Sequence, residues 1–335
     1  MPASAAEQLL DHYDCHARSL PWRSMPGDAP PEPYHVWLSE VMLQQTTVAT
    51  VKPRFRRFIE RWPTVEALAA APDEEVLHEW AGLGYYARAR NLIACARTVA
   101  ARGDFPRTES ELRKLPGLGD YTAAAVAAIA FGERAIVVDT NVARVIARVY
   151  GLRKPLAEAR KEIRELADRM TPDRRPGDFA QAMMDLGATI CRPRNPGCGN
   201  CPLASGCMAR DSGTPESFPA PKAKPERPKR YGVAWWFERD GAIWLTRRPE
   251  RGMLGGMAAL PGPEWNLDRL PTPSLALVSH GFTHFTLDLG VIHRFGTPDG
   301  EGWWQPLERI GEAGLPTLYR RAVEEVIARK DDLAA

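Results

Sequence analysis

The chain has 335 residues, a length that predicts two or three domains and not a single core. Its formal net charge is only +2 at pH 7, so any contact with nucleic acid must come from a local basic patch. The N-terminal residues 1–20 contain Glu7, Asp11 and Asp14, and no apolar stretch is long enough to span a bilayer, which excludes a typical signal peptide and a transmembrane segment. We therefore expect a cytoplasmic protein with no membrane partner.

Helical periodicity predicts an all-α region as far as residue 190. Many of these helices begin at Thr, Asp or Pro, residues that commonly cap or start a helix. The predicted ranges are 6–18, 34–48, 51–61, 64–70, 73–80, 87–101, 108–114, 122–131, 142–150, 157–170 and 178–190.

Glu40 lies in an apolar helical pattern. Its neighbours at helical spacing are Val36, Trp37, Leu43 and Gln44. Because an ionised carboxylate among apolar side chains is costly, the pKa of Glu40 should be raised, as a general acid requires. The alternative is a glutamate on a polar stripe with Ser39 and Gln44, and this helix alone leaves the two interpretations equally open.

The stretch Leu115-Pro116-Gly117-Leu118-Gly119-Asp120-Tyr121 predicts a turn between two helices. Gly117 and Gly119 permit positive φ and leave backbone N–H groups uncovered, and such groups can cradle a phosphate. Turns of this kind are also common where no ligand binds.

Asp139 precedes the helix predicted from residue 142. The helix dipole favours its ionised form, although an aspartate at this position is more often only an N-cap. A protonated Glu40 and an ionised Asp139 would form the pair of carboxyl groups that breaks a glycosidic bond.

Four of the six cysteines lie close together, at Cys191, Cys198, Cys201 and Cys207. Thiolates at this spacing, in a loop rich in glycine and proline, indicate a metal centre, with a zinc site as the alternative to an iron–sulfur cluster. Arg192 and Arg194 lie between the first two and can contact a DNA phosphate or remain solvated loop charges. Cys15 and Cys95 stand alone in helical patterns and are expected to be buried.

Composition changes after Cys207. Residues 214–230 are rich in proline and contain Lys222, Lys224 and Arg227, which predicts an extended basic linker. Strands are predicted at 231–237, 242–247, 275–279, 283–295 and 303–304, and a helix at 318–327. A smaller α+β domain therefore follows the helical one.

The hairpin, the Val138-Asp139-Thr140-Asn141 segment and the cysteine loop together resemble the iron–sulfur branch of the helix-hairpin-helix DNA glycosylases. Within this branch the match is closest to the MutY-type adenine DNA glycosylases. The segments 20–23, 37–46 and 82–92 look like signatures of that family. The resemblance favours a [4Fe–4S] cluster over zinc.

The fold class that this resemblance implies is multidomain. An all-α helix-hairpin-helix glycosylase core with a [4Fe–4S] loop is followed by a smaller α+β Nudix-like (MutT-like) domain that recognises 8-oxoguanine. The expected ranges are 5–190 for the core, 191–207 for the cluster loop, 208–230 for the linker and 231–332 for the Nudix-like domain. The segment 251–261 resembles a Nudix domain, but no Glu-rich Nudix helix follows, so nucleotide hydrolysis is not expected.

The activity that the resemblance implies is monofunctional removal of adenine mispaired with 8-oxoguanine or guanine in double-stranded DNA, by base flipping in base excision repair. Tyr121 replaces the lysine nucleophile of endonuclease III enzymes, and Ala143 a lysine that traps the abasic product in some relatives. Asp120 stands where relatives often have a basic residue, and Thr283 stands where they have serine.

The residue roles carried over from the family fall into five groups. The catalytic residues are Glu40, Asp139, Tyr121 and Asn141, and the base pocket is formed by Arg18, Leu20, Trp22, Arg23, Leu43 and Gln181. The DNA-binding residues are Gln45, Thr46, Tyr85, Gly117, Gly119, Arg192 and Arg194. Recognition of 8-oxoguanine falls to Phe282, Thr283 and His284, and metal ligation to Cys191, Cys198, Cys201 and Cys207.

Three other functions compete with this interpretation. A thymine or other mismatch glycosylase would keep the core but would not need the 282–284 loop, and a glycosylase/lyase is weakened by Tyr121. A non-catalytic iron–sulfur protein that binds DNA or senses its charge would leave Glu40 and Asp139 without a role.

We expect a monomeric, nucleoid-associated protein. Replication or repair proteins are expected to dock through its linker.

Overall fold

The computed structural model describes residues 4–221, 227–250, 252–270 and 274–334. Contacts divide the chain into a helical unit, Met1–Ala223, and a C-terminal unit, Lys224–Ala335. The division falls inside the predicted linker, whose Lys222 and Lys224 lie outside the described residues, as does Arg251. Over the described ranges, no helix combines the length and the apolar character needed to cross a bilayer.

The helical unit consists of short helices joined by tight turns. They are α1 Ala5–His16, α2 Pro33–Leu43, α3 Val48–Arg61, α4 Val65–Ala70, α5 Asp73–Glu79, α6 Tyr86–Arg102, α7 Glu109–Leu112, α8 Asp120–Phe131, α9 Thr140–Val149, α10 Arg160–Met170, α11 Pro176–Thr189 and α12 Met208–Asp211. Side-chain caps explain several of the starts: the Ser4 hydroxyl accepts a hydrogen bond from Glu7 N and the Glu7 carboxylate accepts one from Ser4 N, a complete capping box.

Helix α8 is the centre of the helical unit, because its residues from Thr122 to Ala130 are all buried. Small side chains let neighbouring helices approach closely, and a Cβ added at Gly177 of α11 would lie 2.4 Å from the Ala128 carbonyl oxygen. Helices α2 and α11 both pack against α8. This packing brings Glu40 of α2, Tyr121 of α8 and Gln181 of α11 to one region.

Helix α2 ends at Leu43 and not near residue 48 as the periodicity predicted. Gln45 has a φ of 57°, a left-handed conformation that a continuing helix cannot contain. The chain enters α3 at Val48, where the Thr47 hydroxyl accepts a hydrogen bond from Thr50 N. Residues 44–47 contain neither glycine nor proline, so no helix-breaking residue marked this break in the sequence.

Two further differences concern the cysteines and the linker. Cys95 is buried as predicted, but the prediction for Cys15 was wrong: it is exposed, because the buried face of α1 is formed by other residues. The predicted extended stretch from residue 214 is partly folded, since Phe218 is buried and its carbonyl oxygen accepts a hydrogen bond from Arg148 Nε at 3.0 Å. Residues 208–221 thus pack on the helical unit.

The C-terminal unit contains two small sheets and one long helix. Its elements are β1 Lys229–Trp236, β2 Glu238–Arg239, β3 Ala242–Arg247, β4 Ala258–Ala259, β5 Ala276–Gly281, β6 Thr286–His293, β7 Trp303–Pro306 and α13 Thr317–Ala334. In one sheet β6 pairs in parallel with β1 and antiparallel with β5, and in the other β3 pairs with β2, β4 and β7. Helix α13 packs on β5 and β6. The all-α core followed by an α+β domain was therefore predicted correctly.

Candidate active site

The largest cluster of predicted site residues lines one cleft of about 800 Å³ in the helical unit. The cleft brings together residues from five separate stretches of sequence. Those among the predicted residues are Arg18, Leu20, Trp22, Arg23, Glu40, Leu43, Gln45, Thr46, Gly117, Gly119, Tyr121, Asp139, Asn141 and Gln181. Among these residues, two carboxyl groups, two arginines and three side-chain amides therefore line one volume that is large enough for a nucleobase and its sugar.

Glu40 is the buried acid of this cleft, with 6% of its surface exposed. Burial raises the pKa of Glu40 to about 7, and the negative charge of Asp139 acts in the same direction. A hydrogen bond with Tyr121 and the charge of Arg23 oppose the rise. The apolar neighbours therefore outweigh the polar ones, which decides between the two interpretations of this helix, and near neutral pH a large fraction of Glu40 is protonated.

Asp139 is the N-cap of α9 and also lines the cleft, so its structural and chemical roles coexist. One carboxylate oxygen accepts a hydrogen bond from Val142 N at 2.7 Å, and the other accepts one from the Asn141 side-chain amide at 2.9 Å. Both oxygens are thus held in fixed directions. The carboxylate lies at the positive end of the helix dipole of α9.

Tyr121 lies between the two acids on the first turn of α8. Burial raises the pKa of its phenol well above the ordinary value, and the negative charges of Glu40 and Asp139 add to the rise. Its hydroxyl hydrogen-bonds with Glu40 and also lies 3.3 Å from Met184 Sδ, a second possible acceptor. The phenol therefore stays neutral and serves as a hydrogen-bonding group, not as a nucleophile.

Asp185 is a site residue that the sequence analysis missed. Its carboxylate accepts hydrogen bonds from Arg18 Nε at 2.6 Å and from Arg23 Nη1 at 2.8 Å, and it is nearly buried. This ion-paired aspartate fixes two arginines in the wall of the cleft. It lies four residues after Gln181 on α11, a spacing that places both on one helix face and that could have identified it.

Gln181 carries an unpaired acceptor. The residue is 4% exposed, and its side-chain carbonyl oxygen has no hydrogen-bond partner within the described part of the chain. A buried acceptor without a partner costs free energy, which a ligand with an N–H group can recover. The cleft wall therefore offers a hydrogen-bonding position to a polar, planar ligand.

The four clustered cysteines line one small pocket, together with Arg148 and Arg210, and all four are free thiols. No set of three or more His, Cys, Asp or Glu side chains in the described ranges is arranged to hold a single metal ion. A cubane cluster instead spaces its thiolates around four iron atoms. Burial raises the pKa of Cys201 to about 11, so thiolates here require a strong positive charge beside them. Four thiols that line one pocket, with an arginine beside them, are the ligand type that a thiolate-bound cluster needs.

Two arginines of α9 join this loop to the acid at the start of the same helix. Arg144 donates hydrogen bonds to the Asn141 side-chain oxygen at 3.0 Å and to the Cys191 carbonyl oxygen at 2.9 Å. Arg148 donates to Cys191 Sγ at 3.3 Å and to the Arg192 carbonyl oxygen at 2.6 Å. The sequence analysis missed both, because a buried arginine has no distinguishing sequence pattern.

Three of the predicted DNA-binding residues lie outside the cleft, whereas Gly117 and Gly119 line it. Tyr85 is 63% exposed with a φ of 49°, immediately before α6, and Arg192 and Arg194 are exposed on the cysteine loop. Gly117 has a φ of 76°, but Gly119 has a φ of −84° and does not use the positive-φ region that we expected. Gly119 is instead the N-cap of α8, with open space around its Cα and no side chain capping the helix.

In the C-terminal unit, residues 282–285 form the turn of the β5–β6 hairpin. Phe282 N donates a hydrogen bond to the Phe285 carbonyl oxygen at 2.8 Å, and the Phe282 ring stacks on Trp265. Thr283 and His284 are exposed at the tip. The stacked Phe282 ring thus holds the turn in place, and the Thr283 hydroxyl and the His284 imidazole face solvent.

Comparisons with known proteins match each of the two units to a known family. Residues 38–172 match the HhH-GPD superfamily of base excision DNA repair proteins, and residues 232–325 match a NUDIX domain. The chain is 38% identical over 310 residues to the adenine DNA glycosylase of Homo sapiens, covering 77% of this chain and 57% of that protein. It therefore spans little more than half the length of the human protein.

A bacterial relative matches almost end to end. The adenine DNA glycosylase of Buchnera aphidicola subsp. Schizaphis graminum is 30% identical over 344 residues, covering 95% of this chain and 97% of that protein. Among solved structures, a thermostable thymine-DNA glycosylase aligns with a TM-score of 0.54 and 31% identity, over 62% of this chain and 95% of that chain. The helical unit thus has the glycosylase fold.

Proposed function

The chain belongs to the adenine DNA glycosylase family, and we propose that it hydrolyses the N-glycosidic bond of adenine mispaired with 8-oxoguanine or guanine in duplex DNA, leaving an abasic site. The observation that carries this proposal is the pair of carboxyl groups in one cleft, with burial raising the pKa of Glu40 to about 7 and Asp139 held by two hydrogen bonds. One acid is suited to give a proton and the other to stabilise a cation.

Each acid has a separate step in the proposed reaction. The adenine rotates out of the duplex, because its glycosidic bond is unreachable within the base stack. Glu40 protonates N7 of the adenine, so that the base leaves as a neutral molecule. Asp139 stabilises the cationic sugar, held by Asn141 and assisted by Tyr121, and Glu40 then acts as the base that delivers water.

The base pocket is proposed to recognise adenine by shape and by hydrogen bonds. Trp22, Leu20 and Leu43 provide apolar walls, and Arg18 and Arg23 are fixed by Asp185. The unpaired carbonyl oxygen of Gln181 is available to accept a hydrogen bond from the exocyclic amine of adenine. Thymine could offer its N3–H to the same oxygen, so this contact would orient the base and does not by itself select adenine.

DNA is proposed to bind across the mouth of the cleft. The uncapped N-terminus of α8 after Gly117 and Gly119 suits a backbone phosphate, and Arg113 pairs with Asp120 at 2.5 Å, which offsets the acidic residue at this turn. The exposed Arg192 and Arg194 suit further phosphates. Gln45 and Tyr85, with Thr46 beside them, would fill the space that the rotated adenine leaves in the stack.

A [4Fe–4S] cluster is proposed as the resident group of Cys191, Cys198, Cys201 and Cys207. When bound, it would supply a rigid centre for the loop and no chemistry to base removal. Arg148 already holds this loop through four carbonyl and sulfur acceptors on residues 191–193, so the cluster and the arginine would fix Arg192 and Arg194 together. Iron and acid-labile sulfide in equal amounts in the purified protein test this assignment, and zinc in their place would contradict it.

The β5–β6 turn is proposed to contact 8-oxoguanine opposite the adenine. The exposed Thr283 hydroxyl and His284 imidazole can both hydrogen-bond a base edge, and the ring of Phe282 anchors the turn. The extra methyl of threonine is tolerated because the position is solvent-exposed. This proposal concerns substrate choice and is independent of the chemistry at Glu40.

A glycosylase assay of Glu40→Gln separates this function from a non-catalytic DNA-binding role. The amide keeps the size of the side chain but cannot donate a proton from a carboxyl group, so base release should be lost while DNA binding is kept. A protein that releases no base before the substitution would contradict catalysis altogether. Tyr121 cannot form a Schiff base, so we expect strand breaks only after alkali.

A further inference from the structure

Two of the predicted DNA-binding residues, one lining the cleft and one outside it, have a backbone conformation that side chains disfavour. Gln45, just after α2, has a φ of 57°, and Tyr85, just before α6, has a φ of 49°. Such residues persist only where the surrounding structure holds them, and they are frequent at functional sites. The two belong to separate loops, so something must fix one loop relative to the other.

Arg88, in the first turn of α6, hydrogen-bonds to both loops through one guanidinium. Its Nη1 donates to the carbonyl oxygens of Val41 at 3.0 Å and Met42 at 3.2 Å, at the C-terminal end of α2. Its Nη2 donates to the carbonyl oxygens of Leu83 at 2.8 Å and Gly84 at 3.3 Å, in the turn before Tyr85. The same nitrogen lies 3.4 Å from the Thr46 hydroxyl, next to Gln45.

Two aromatic rings also lie close to the Arg88 guanidinium. Its central carbon lies 5.3 Å from the centre of the buried Trp80 ring and 5.8 Å from that of the exposed Tyr85 ring. Trp80 Nε1 in turn donates a hydrogen bond to the Gly84 carbonyl oxygen at 3.0 Å. Arg88 therefore lies within cation–π distance of both rings, and the Trp80 indole is itself bonded to the turn before Tyr85.

We propose that Arg88 is a positioning residue for base extrusion: it holds Gln45 and Tyr85 at a fixed separation, so that both enter the base stack together when the adenine leaves it. The inference rests on the proposed function. Arg88 contacts neither the acid pair nor the base pocket. Its effect falls on the step that moves the base, and not on cleavage of the bond.

An arginine is required because the contact geometry is that of a planar fork. One terminal nitrogen donates to the end of α2 and the other to the turn before Tyr85, and the guanidinium lies near two aromatic rings. A lysine would keep the charge but offers a single nitrogen, which reaches one loop only. Arg88→Lys thus separates the bridging geometry from the charge.

The test compares base extrusion with base release in the full-length protein. Duplexes with 2-aminopurine at the target position report extrusion through a rise in fluorescence, and adenine duplexes report release under single-turnover conditions. We expect Arg88→Lys to slow extrusion about tenfold, equivalent to about 1.4 kcal/mol. When the target adenine is unpaired in a one-nucleotide bulge, the deficit should shrink to about twofold, and the pH dependence of release should stay unchanged.

Arg97→Lys is the matched control, because Arg97 lies on the same helix and, among the residues that the structure describes, bonds only Ala69 and Asp73, away from the cleft. It should extrude base at the rate of the unaltered protein. Trp80→Phe is a milder second variant that keeps the ring and loses the bond to Gly84, with an expected slowing of about threefold. It serves as the test if Arg88→Lys fails to fold.

Three outcomes would overturn the proposal. If Arg88→Lys extrudes the base at the rate of the unaltered protein, Gln45 and Tyr85 do not need Arg88 to hold them in place. Equal losses on the paired and the bulged substrate would show a general effect on the cleft. An unaltered protein that neither extrudes 2-aminopurine nor releases adenine would overturn the proposed function and this inference together, whereas the first two outcomes leave the proposed function intact.

Discussion

At the scale of single residues, the proposed reaction requires that Glu40 be protonated near neutral pH. Burial raises the pKa of Glu40 to about 7, and a general acid acts only in its protonated form. The single-turnover rate constant should therefore be highest below pH 7 and fall about tenfold per pH unit well above it. Glu40→Gln should lower the rate constant by roughly 10²- to 10⁴-fold and abolish this pH dependence. Glu66→Gln, at an exposed position, should change neither.

The raised pKa of Glu40 also predicts that an ionised Glu40 destabilises the folded protein at high pH. Because the folded state raises the pKa of Glu40 from 4.5 to about 7, its contribution to stability is present in full below pH 4.5 and is lost as the pH rises to about 7. At pH 8, Glu40→Gln should therefore be more stable than the unaltered protein by up to about 3 kcal/mol. The difference should vanish near pH 4.5. Urea unfolding at both pH values measures it, and a variant that is less stable at pH 8 would contradict the raised pKa.

At the scale of elements, α9 combines a structural cap and a chemical group in one residue. Asparagine is as good an N-cap as aspartate, whereas alanine is a poor one. Asp139→Asn should thus cost less than about 0.5 kcal/mol of stability and Asp139→Ala about 1 kcal/mol. Both should lose roughly 10³-fold or more in base release, since neither carries the charge. An active Asp139→Asn would reduce Asp139 to the ordinary cap that its position first suggested.

The elements themselves were largely predictable, because helical periodicity and caps are local properties. The end of α2 was missed, since no glycine or proline follows Leu43 before α3 and only the backbone conformation of Gln45 breaks the helix. The docked segment around Phe218 was taken for an extended linker, because its prolines are visible in the sequence and its burial is not.

The site was predictable where it rests on family signatures and on local environment, as for Glu40. The residues that support it were not. Asp185, Arg144, Arg148 and Arg88 act through contacts with segments far away in sequence, which no local pattern encodes. Cys15 illustrates the reverse error, because residue type alone predicted burial for a side chain on the outer face of α1.

At the scale of the whole molecule, chemistry and choice of the opposite base are assigned to different units. Substitutions at the β5–β6 turn should therefore change preference and leave the chemistry alone. Thr283→Val and His284→Ala should each reduce discrimination between 8-oxoguanine and guanine opposite adenine by about tenfold, or about 1.4 kcal/mol. Thr283→Ser should preserve it.

Excision opposite guanine is the internal control for that prediction. Its rate constant should be nearly unchanged in all three variants, because the acids of the helical unit are untouched. Equal losses opposite both bases would mean that the turn supports DNA binding in general. Unchanged discrimination in Thr283→Val and His284→Ala would remove the assignment of the turn to 8-oxoguanine.

The most direct test of the central claim is single-turnover base release from matched duplexes with adenine opposite 8-oxoguanine, adenine opposite guanine, thymine opposite guanine, and an oxidised pyrimidine, each with and without alkali. We predict that adenine opposite 8-oxoguanine is released fastest and that strands break only after alkali. Preferred release of thymine or of the oxidised pyrimidine, or strand cleavage without alkali, would contradict a monofunctional adenine glycosylase.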